Sequence, residues 1–218
     1  MEFIVDMPIK QMDPEMQKYA FNWVNKHFKV ISNNEVYNYS ELLLFAEKIV
    51  HQEGNYDGLF IDPYNSLRID MAQGKNINSH EYHYEAASEF LTFSNRMNMA
   101  VWLNMHAITE AQRMKGLDGL PLAPAAAMTE GGGKFVNRAD CFLTFHRKVA
   151  SPEYETRKTM EFHVRKIRET ETGGECTVWD QPFMFRMNES NTGFSTYTPQ
   201  GVLYKPLMLK RIQGELVL

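Results

Sequence analysis

The chain has 218 residues, enough for one domain with a sizeable core. Hydrophobic residues make up 44% and charged residues 23%, which excludes a disordered tail or a fibre. The formal net charge of −4 excludes a global basic field, so any nucleic-acid contact must come from a local patch.

No apolar run approaches about 18 residues, the length of a membrane-spanning helix, and no signal peptide opens the chain. The expected location is therefore a cytoplasm, away from membranes. The only two cysteines, Cys141 and Cys176, lie in strand-like runs without CxxC or Cys/His spacing, and read as buried thiols of a reducing compartment. The 14 methionines read as core filler.

In chain order, Glu2–Val5 has the texture of a short strand. Asp13-Pro14-Glu15 starts a helix, with Asp as cap and Pro at the first helical position, running through Tyr19, Phe21, Trp23, Val24 and Phe28. Phe28–Ile31 reads as a strand. Tyr39-Ser40-Glu41 opens a second helix that sets Leu42, Leu43, Leu44, Ala46, Ile49 and Val50 mostly on one side. Gly58-Leu59-Phe60-Ile61-Asp62 has the pattern of a strand buried on both faces of a parallel sheet. A third helix covers roughly His80–Asn98, capped by Ser79, with His80 and His83 as surface residues that lack a third partner for a metal. Ala100–His106 forms a second buried strand, and the order is that of a βαβ crossover in an α/β fold. Residues 107–133, rich in Gly, Ala and Pro, form a long mobile loop of the kind that more often carries function than not. Cys141–His146, Met160–Ile167 and Glu175–Met187 read as strands, and Gly201–Leu218 as a tail or a late strand pairing.

Four features can carry chemistry. Asp62 emerges at the carboxyl end of a buried strand, where ligands of open parallel sheets bind, and can hold a nucleotide's Mg²⁺ through water; an Asp capping the turn before Pro63 fits equally well. His106 ends the next strand and can sense a phosphate by hydrogen bonding, or simply face solvent. Lys166 and Arg168 share one face of a strand and can reach one phosphate; alone, such a pair is usually a solvated sheet face. Arg113, Lys115, Gly132, Gly133, Lys134 and Arg138 combine cations with a backbone that can approach phosphates of DNA, or form an ordinary solvated loop. Gly131-Gly132-Gly133-Lys134 is not a phosphate-binding P-loop. Met128 occupies the first Gly position of that motif, and Phe135 stands where Ser or Thr follows the Lys.

The order of these features is more specific than any one of them. Tyr56–Asn65 with its terminal acid resembles the Walker B strand of phage-type and Twinkle-like replicative ring helicases, relatives of the DnaB family. Val101–His106, Asn137-Arg138-Ala139-Asp140 before Cys141–Arg147, and Val164–Gly173 with its K-x-R resemble the family's next three motifs, and the likeness spans about residues 15–197. It implies a RecA-like α/β core at 1–200, with a mostly parallel central sheet flanked by helices, antiparallel strands on its C-terminal side, and a tail at 201–218. By the same resemblance Asp62 is the Mg²⁺-associated carboxylate and His106 the γ-phosphate sensor. Lys166 and Arg168 are a finger pair acting on a neighbour's nucleotide, a role worth factors of about 10³ to 10⁵. The loop ending at Lys134 faces single-stranded DNA in a central channel. ATP or another nucleoside triphosphate and Mg²⁺ are the implied cofactors, and a homo-hexamer or similar ring the implied assembly. A bacterial host cytoplasm follows if the chain is phage-encoded. The family's Walker A segment and catalytic Glu are missing from these residues, as is the N-terminal part of the core. The expectation is a helicase portion needing a P-loop from an upstream segment or partner chain, inactive as an isolated chain. The alternative is a non-hydrolysing DNA-binding or ring-interaction module on a degenerate core.

Overall fold

A computed structural model describes residues 13–32, 36–54, 56–69, 79–178, 181–189, 191 and 193–197, and the backbone at 203–206, 210–212 and 215–217. The strand expected at Glu2–Val5 lies outside these residues. Helix α1 spans Pro14–His27; the Asp13 carboxylate accepts from the Met16 N–H at 2.9 Å, and Pro14 fills a position whose donor would be unused. None of its residues is buried. Phe28 leaves it in extended backbone, but 28–31 joins no ladder, which corrects the strand expected there. Extended chain becomes strand only when a neighbour pairs with it.

Helix α2 spans Tyr39–Glu53 and is closed by a reciprocal cap one residue before the expected start. The Asn38 side chain accepts from the Glu41 N–H at 2.8 Å, and the Glu41 carboxylate accepts from the Asn38 N–H at 3.0 Å. Asn38→Ala is expected to lower the unfolding free energy by about 1 kcal/mol. A urea titration checks this, and an unchanged midpoint would mean the cap holds nothing. Leu42, Leu43 and Ala46 are buried, whereas Leu44 projects outward.

Strand β1 (Gly58–Ile61), helix α3 (Ser79–Met97) and strand β2 (Ala100–Leu103) form the expected crossover, with β1 and β2 parallel and Ile61 opposite Leu103. Helix α3 buries Tyr82, His83, Ala86, Ala87, Phe90 and Phe93, a stripe at helical spacing. Together with Leu42, Leu43, Ala46, Ile61 and Phe135 they make the core. The opposite face of the strand pair is open. Phe60 is 67% exposed and Trp102 48% exposed, their rings stacked 6.0 Å apart. This corrects the reading of β1 as buried on both faces: no layer covers that side among the described residues.

The Gly/Ala/Pro-rich stretch is tied at two levels by the bridges Ala107–Thr129 and Lys115–Pro121, and holds helix α4 (Thr109–Arg113) and a 3-10 turn at Ala126–Met128. Helix α5 (Gly133–Arg138) leads into β3 (Cys141–His146), helix α6 (Tyr154–Lys158), β4 (Thr159–Ile167), helix α7 (Thr170–Gly173), β5 (Phe183–Met187), β6 (Phe194–Tyr197) and β7 (Leu203–Pro206). Strands β3 to β7 pair in sequence order as an antiparallel sheet, and β8 (Lys210–Ile212) pairs with β9 (Glu215–Val217). The architecture is thus mixed α/β, parallel first and antiparallel after. The expected strand at Glu175–Met187 shortens to 183–187. Upstream, Thr177 alone continues the edge of β4, its N–H donating to Val164 O at 3.0 Å. Both cysteines are exposed, which corrects the buried reading: Cys141 opens β3, and Cys176 lies in irregular chain.

Candidate functional site

Asp62 follows the last residue of β1, and the carboxyl ends of β1 and β2 are laced together just beyond it. The Asn104 N–H donates to Ile61 O at 2.9 Å, and the Tyr64 N–H donates to Asn104 O at 2.8 Å. Strand β2 stops at Leu103, so His106 stands three residues past the strand rather than at its end. Asp62 and His106 are both exposed at this edge. Among the described residues, neither side chain makes a hydrogen bond or ion pair. That suits Asp62 to a Mg²⁺ ion, which keeps most of its waters and needs only one or two carboxylates beside phosphate oxygens. Among the described residues no group of three or more His, Cys, Asp or Glu could hold a metal by itself.

The residue that organises the edge is Asn65, which sequence reading did not single out. Its side-chain oxygen accepts from the His106 backbone N–H at 2.9 Å, and its amide donates to the Glu130 carboxylate. One side chain therefore fixes the segment after β1, the segment after β2 and the glycine turn. Beneath it, the Tyr64 O–H donates to His83 Nδ1 at 2.9 Å. Burial pushes the Tyr64 phenol well above its ordinary pKa, so it stays a donor, and His83 carries its own proton on Nε2. His83 is buried, contrary to the surface reading, because it falls on the α3 stripe with Ala86, Ala87 and Phe90. That spacing was the available signal. Gly131 packs against it: with φ at +70°, a Cβ there would meet the Phe135 ring at 2.8 Å and His83 Cβ at 2.9 Å.

Burial is the main reason the His83 pKa lies below its ordinary 6.5, with Lys134 and His80 adding to the effect and Glu130 opposing it. Glu130 is 4.0 Å from His83 Nε2, but with a neutral imidazole this contact is no ion pair. Burial likewise lowers the pKa of His163 on β4, against its Glu161 partner. The unfolded chain therefore binds protons near pH 6.5 that the native chain refuses. Stability should be full above that pH and fall as pH drops through it toward the lower native values. Thermal melts from about pH 7.5 to about pH 5 should show this decline, with a flatter slope in the His83→Gln/His163→Gln variant. An equal slope in both proteins would refute the assignment.

The basic residues fall into two sets. Arg113 and Lys115 are exposed and make no ion pair or side-chain hydrogen bond among the described residues. The others gather around α5 and are engaged. Lys134 contacts His80 Nδ1. Arg138 donates to Tyr84 Oη and to Ser88 Oγ at 3.2 Å, with its guanidinium 4.7 Å from the Tyr84 ring centroid. Lys166 Nζ donates to Val136 O at 2.6 Å and Asn137 O at 3.3 Å. Arg168 donates to Arg138 O at 2.8 Å and pairs with Asp140 at 2.6 Å. Both cations thus meet the carbonyl end of a helix, where positive charge is favoured. Gly132, with φ at +49°, caps the other end of α5, and Gly133 is its first residue. Asp62 and His106 are brought to one edge, then, while Lys166 and Arg168 are brought to α5.

No family model matches the chain, and no curated protein matches it in sequence. Two solved structures share its fold. One is a DnaB-like helicase ATPase domain, with TM-score 0.56 and 11% identity over 74% of this chain and 52% of that one. The other is a DnaB-like replicative helicase whose structure was described together with its interactions with primase, with TM-score 0.63 and 10% identity over 85% of this chain and 41% of that one. The chain thus spans about half or less of the structures it matches. Among the described residues no helix is long and apolar enough to cross a membrane.

Proposed function

We propose that this chain, which shares the fold of DnaB-like helicase ATPase domains, is part of a motor that couples nucleoside triphosphate hydrolysis to movement along single-stranded DNA. The observation that carries the reading is the pairing of Asp62 and His106 at the carboxyl edge of two adjacent parallel strands, with Asn65 tying both segments to the glycine turn. In this reading Asp62 holds Mg²⁺ through water and His106 donates to the γ-phosphate. The lacing through Asn65 passes the state of the phosphate to residues 107–130, where Arg113 and Lys115 touch DNA phosphates. The Mg²⁺-bound triphosphate supplies the energy of the cycle; the chain's own groups orient it and report its loss.

The site needs a P-loop that these 218 residues do not contain. Two strand edges support its arrival from an upstream segment or partner chain: among the described residues β2 pairs only with β1, and β3 only with β4. One added strand can satisfy such edges and cover the Phe60–Trp102 face. The assembly is a ring, a homo-hexamer or one completed by the P-loop chain, working in the cytoplasm.

The purified chain should show negligible DNA-stimulated ATPase activity. Adding a segment with strand, P-loop, helix and acidic strand should create an activity that Asp62→Asn removes. Steady hydrolysis by the chain alone would end the partner requirement. One observation favours the second reading, a non-hydrolysing DNA-binding or ring-interaction module: Lys166, Arg168, Lys134 and Arg138 are all satisfied within their own chain. Salt-sensitive binding to single strands that ATP leaves unchanged, with every P-loop segment inert, would establish it.

A further inference from the structure

Between the loop closed by Ala107 and Thr129 and the face of β4 lies a cavity of about 330 Å³, within the size range of small-molecule sites. Its walls differ in chemistry. The loop side is apolar, with Met114, Leu122, Pro124 and Met128. The sheet side is polar: Glu161, His163 and Arg165 alternate along β4, so they share one face, and Lys148 stands with them. His163 is only 3% exposed. Its Nε2 lies 3.2 Å from a Glu161 carboxylate oxygen, which accepts, so Nε2 carries the proton. Nδ1 is then a bare acceptor, buried with no hydrogen-bond partner. Buried polar atoms in folded proteins are nearly always satisfied, so His163 calls for a donor from whatever fills the cavity.

We infer that the cavity takes a nucleobase, whether of a free nucleoside or of single-stranded DNA. A base has flat apolar faces for Met114, Leu122 and Met128, and an edge on which N–H donors stand beside carbonyl acceptors. His163 Nδ1 accepts from the donor. Lys148, which spends one ammonium hydrogen on Asp118 at 2.8 Å, has another for the carbonyl oxygen. An aliphatic ligand would leave Nδ1 unsatisfied and strip water from the Lys148 and Arg165 cations. A bare phosphate would leave the methionine wall uncovered. Arg113 and Lys115 flank Met114 in sequence and are exposed, which provides cations for the phosphate attached to a base. Asp62 and His106 do not line the cavity, so the inference stands apart from the motor reading.

The test follows the methyl NMR signals of Met114 and Met128 in the full chain during three titrations: cytidine, a short oligodeoxycytidine, and an abasic strand of equal length. Saturable shifts at both methyls with a base-bearing probe, and none with the abasic strand, are expected. Shifts with cytidine but not the oligonucleotide make a free nucleoside the source; shifts with the oligonucleotide make it the strand. His163→Phe should weaken binding about tenfold or more. Met114→Trp, at a half-exposed position where the larger ring fills the cavity without disturbing the core, should abolish it. No shift up to the solubility limit of cytidine would overturn the inference, the cavity then holding water only. Equal shifts from the abasic strand, or undiminished binding in both variants, would overturn it as well.

Discussion

Phe93→Ala is expected to lower the unfolding free energy by about 3–5 kcal/mol, a large share of the roughly 5–15 kcal/mol that holds a typical domain together. Phe93 is 1% exposed and sits at the centre of the α3 stripe, packed in the core cluster with Leu42, Ala46 and Ile61. Truncation removes the burial of a phenyl ring and leaves a cavity that α2, β1 and β2, held by their own ladders and caps, cannot close. Urea unfolding should show a lower midpoint with an unchanged slope. Phe60→Ala is the control. Its ring lies on the open face of the strand pair, so the same truncation should change stability by about 0.5 kcal/mol or less. A similar loss from both variants would mean that the two faces of this pair are not what the structure makes them. If a P-loop strand covers the open face in the assembled motor, Phe60→Ala should weaken that assembly while sparing the chain itself.

That contrast also explains what the sequence could reveal. Helices α2 and α3 were legible because each carries a start signal and an apolar stripe at helical spacing, which local chemistry alone produces. Strand β1 was legible as an apolar run ending in Asp62, but its exposure was not. Leu59, Phe60 and Ile61 look alike as residues, and only the layers actually present decide which face is covered. Phe28–Ile31 failed for the same reason, since its extended backbone needs a partner supplied from elsewhere. His83 was misjudged because a histidine on an apolar stripe reads as polar before its Tyr64 partner, 19 residues away, is known. Asn65 carried no signal at all. Its importance lies in where His106 and Glu130 arrive, 41 and 65 residues later. The K-x-R pair was legible as two cations on one side of β4, but not as a clamp on α5, because one strand's alternation says nothing about what packs above it.

The clamp sharpens the second large prediction. In the motor reading Arg168 acts on the nucleotide of a neighbouring subunit, yet here it donates to Arg138 O and pairs with Asp140. These partners are weak holds. The Arg168 side chain is 38% exposed and that of Asp140 64% exposed, so the pair contributes about 1 kcal/mol at most. A triphosphate offers several charged oxygens in a drier setting and should win the guanidinium when a ring closes. Lys166 is more enclosed and donates to two carbonyls, so it should keep α5 in place while Arg168 moves. Arg168→Ala should therefore cut turnover of the assembled motor about 10³-fold or more while changing the chain's unfolding free energy by about 1 kcal/mol or less. Arg168→Lys should rescue little, since an ammonium cannot grip two oxygens in the plane of a fork. The decisive arm mixes two inactive proteins, Asp62→Asn and Arg168→Ala. If the arginine serves the adjacent subunit, some interfaces of a mixed ring combine an intact Asp62 with an intact Arg168, and activity returns. If mixing restores nothing while each variant still assembles, Arg168 is a brace for α5 and the trans-acting role is lost.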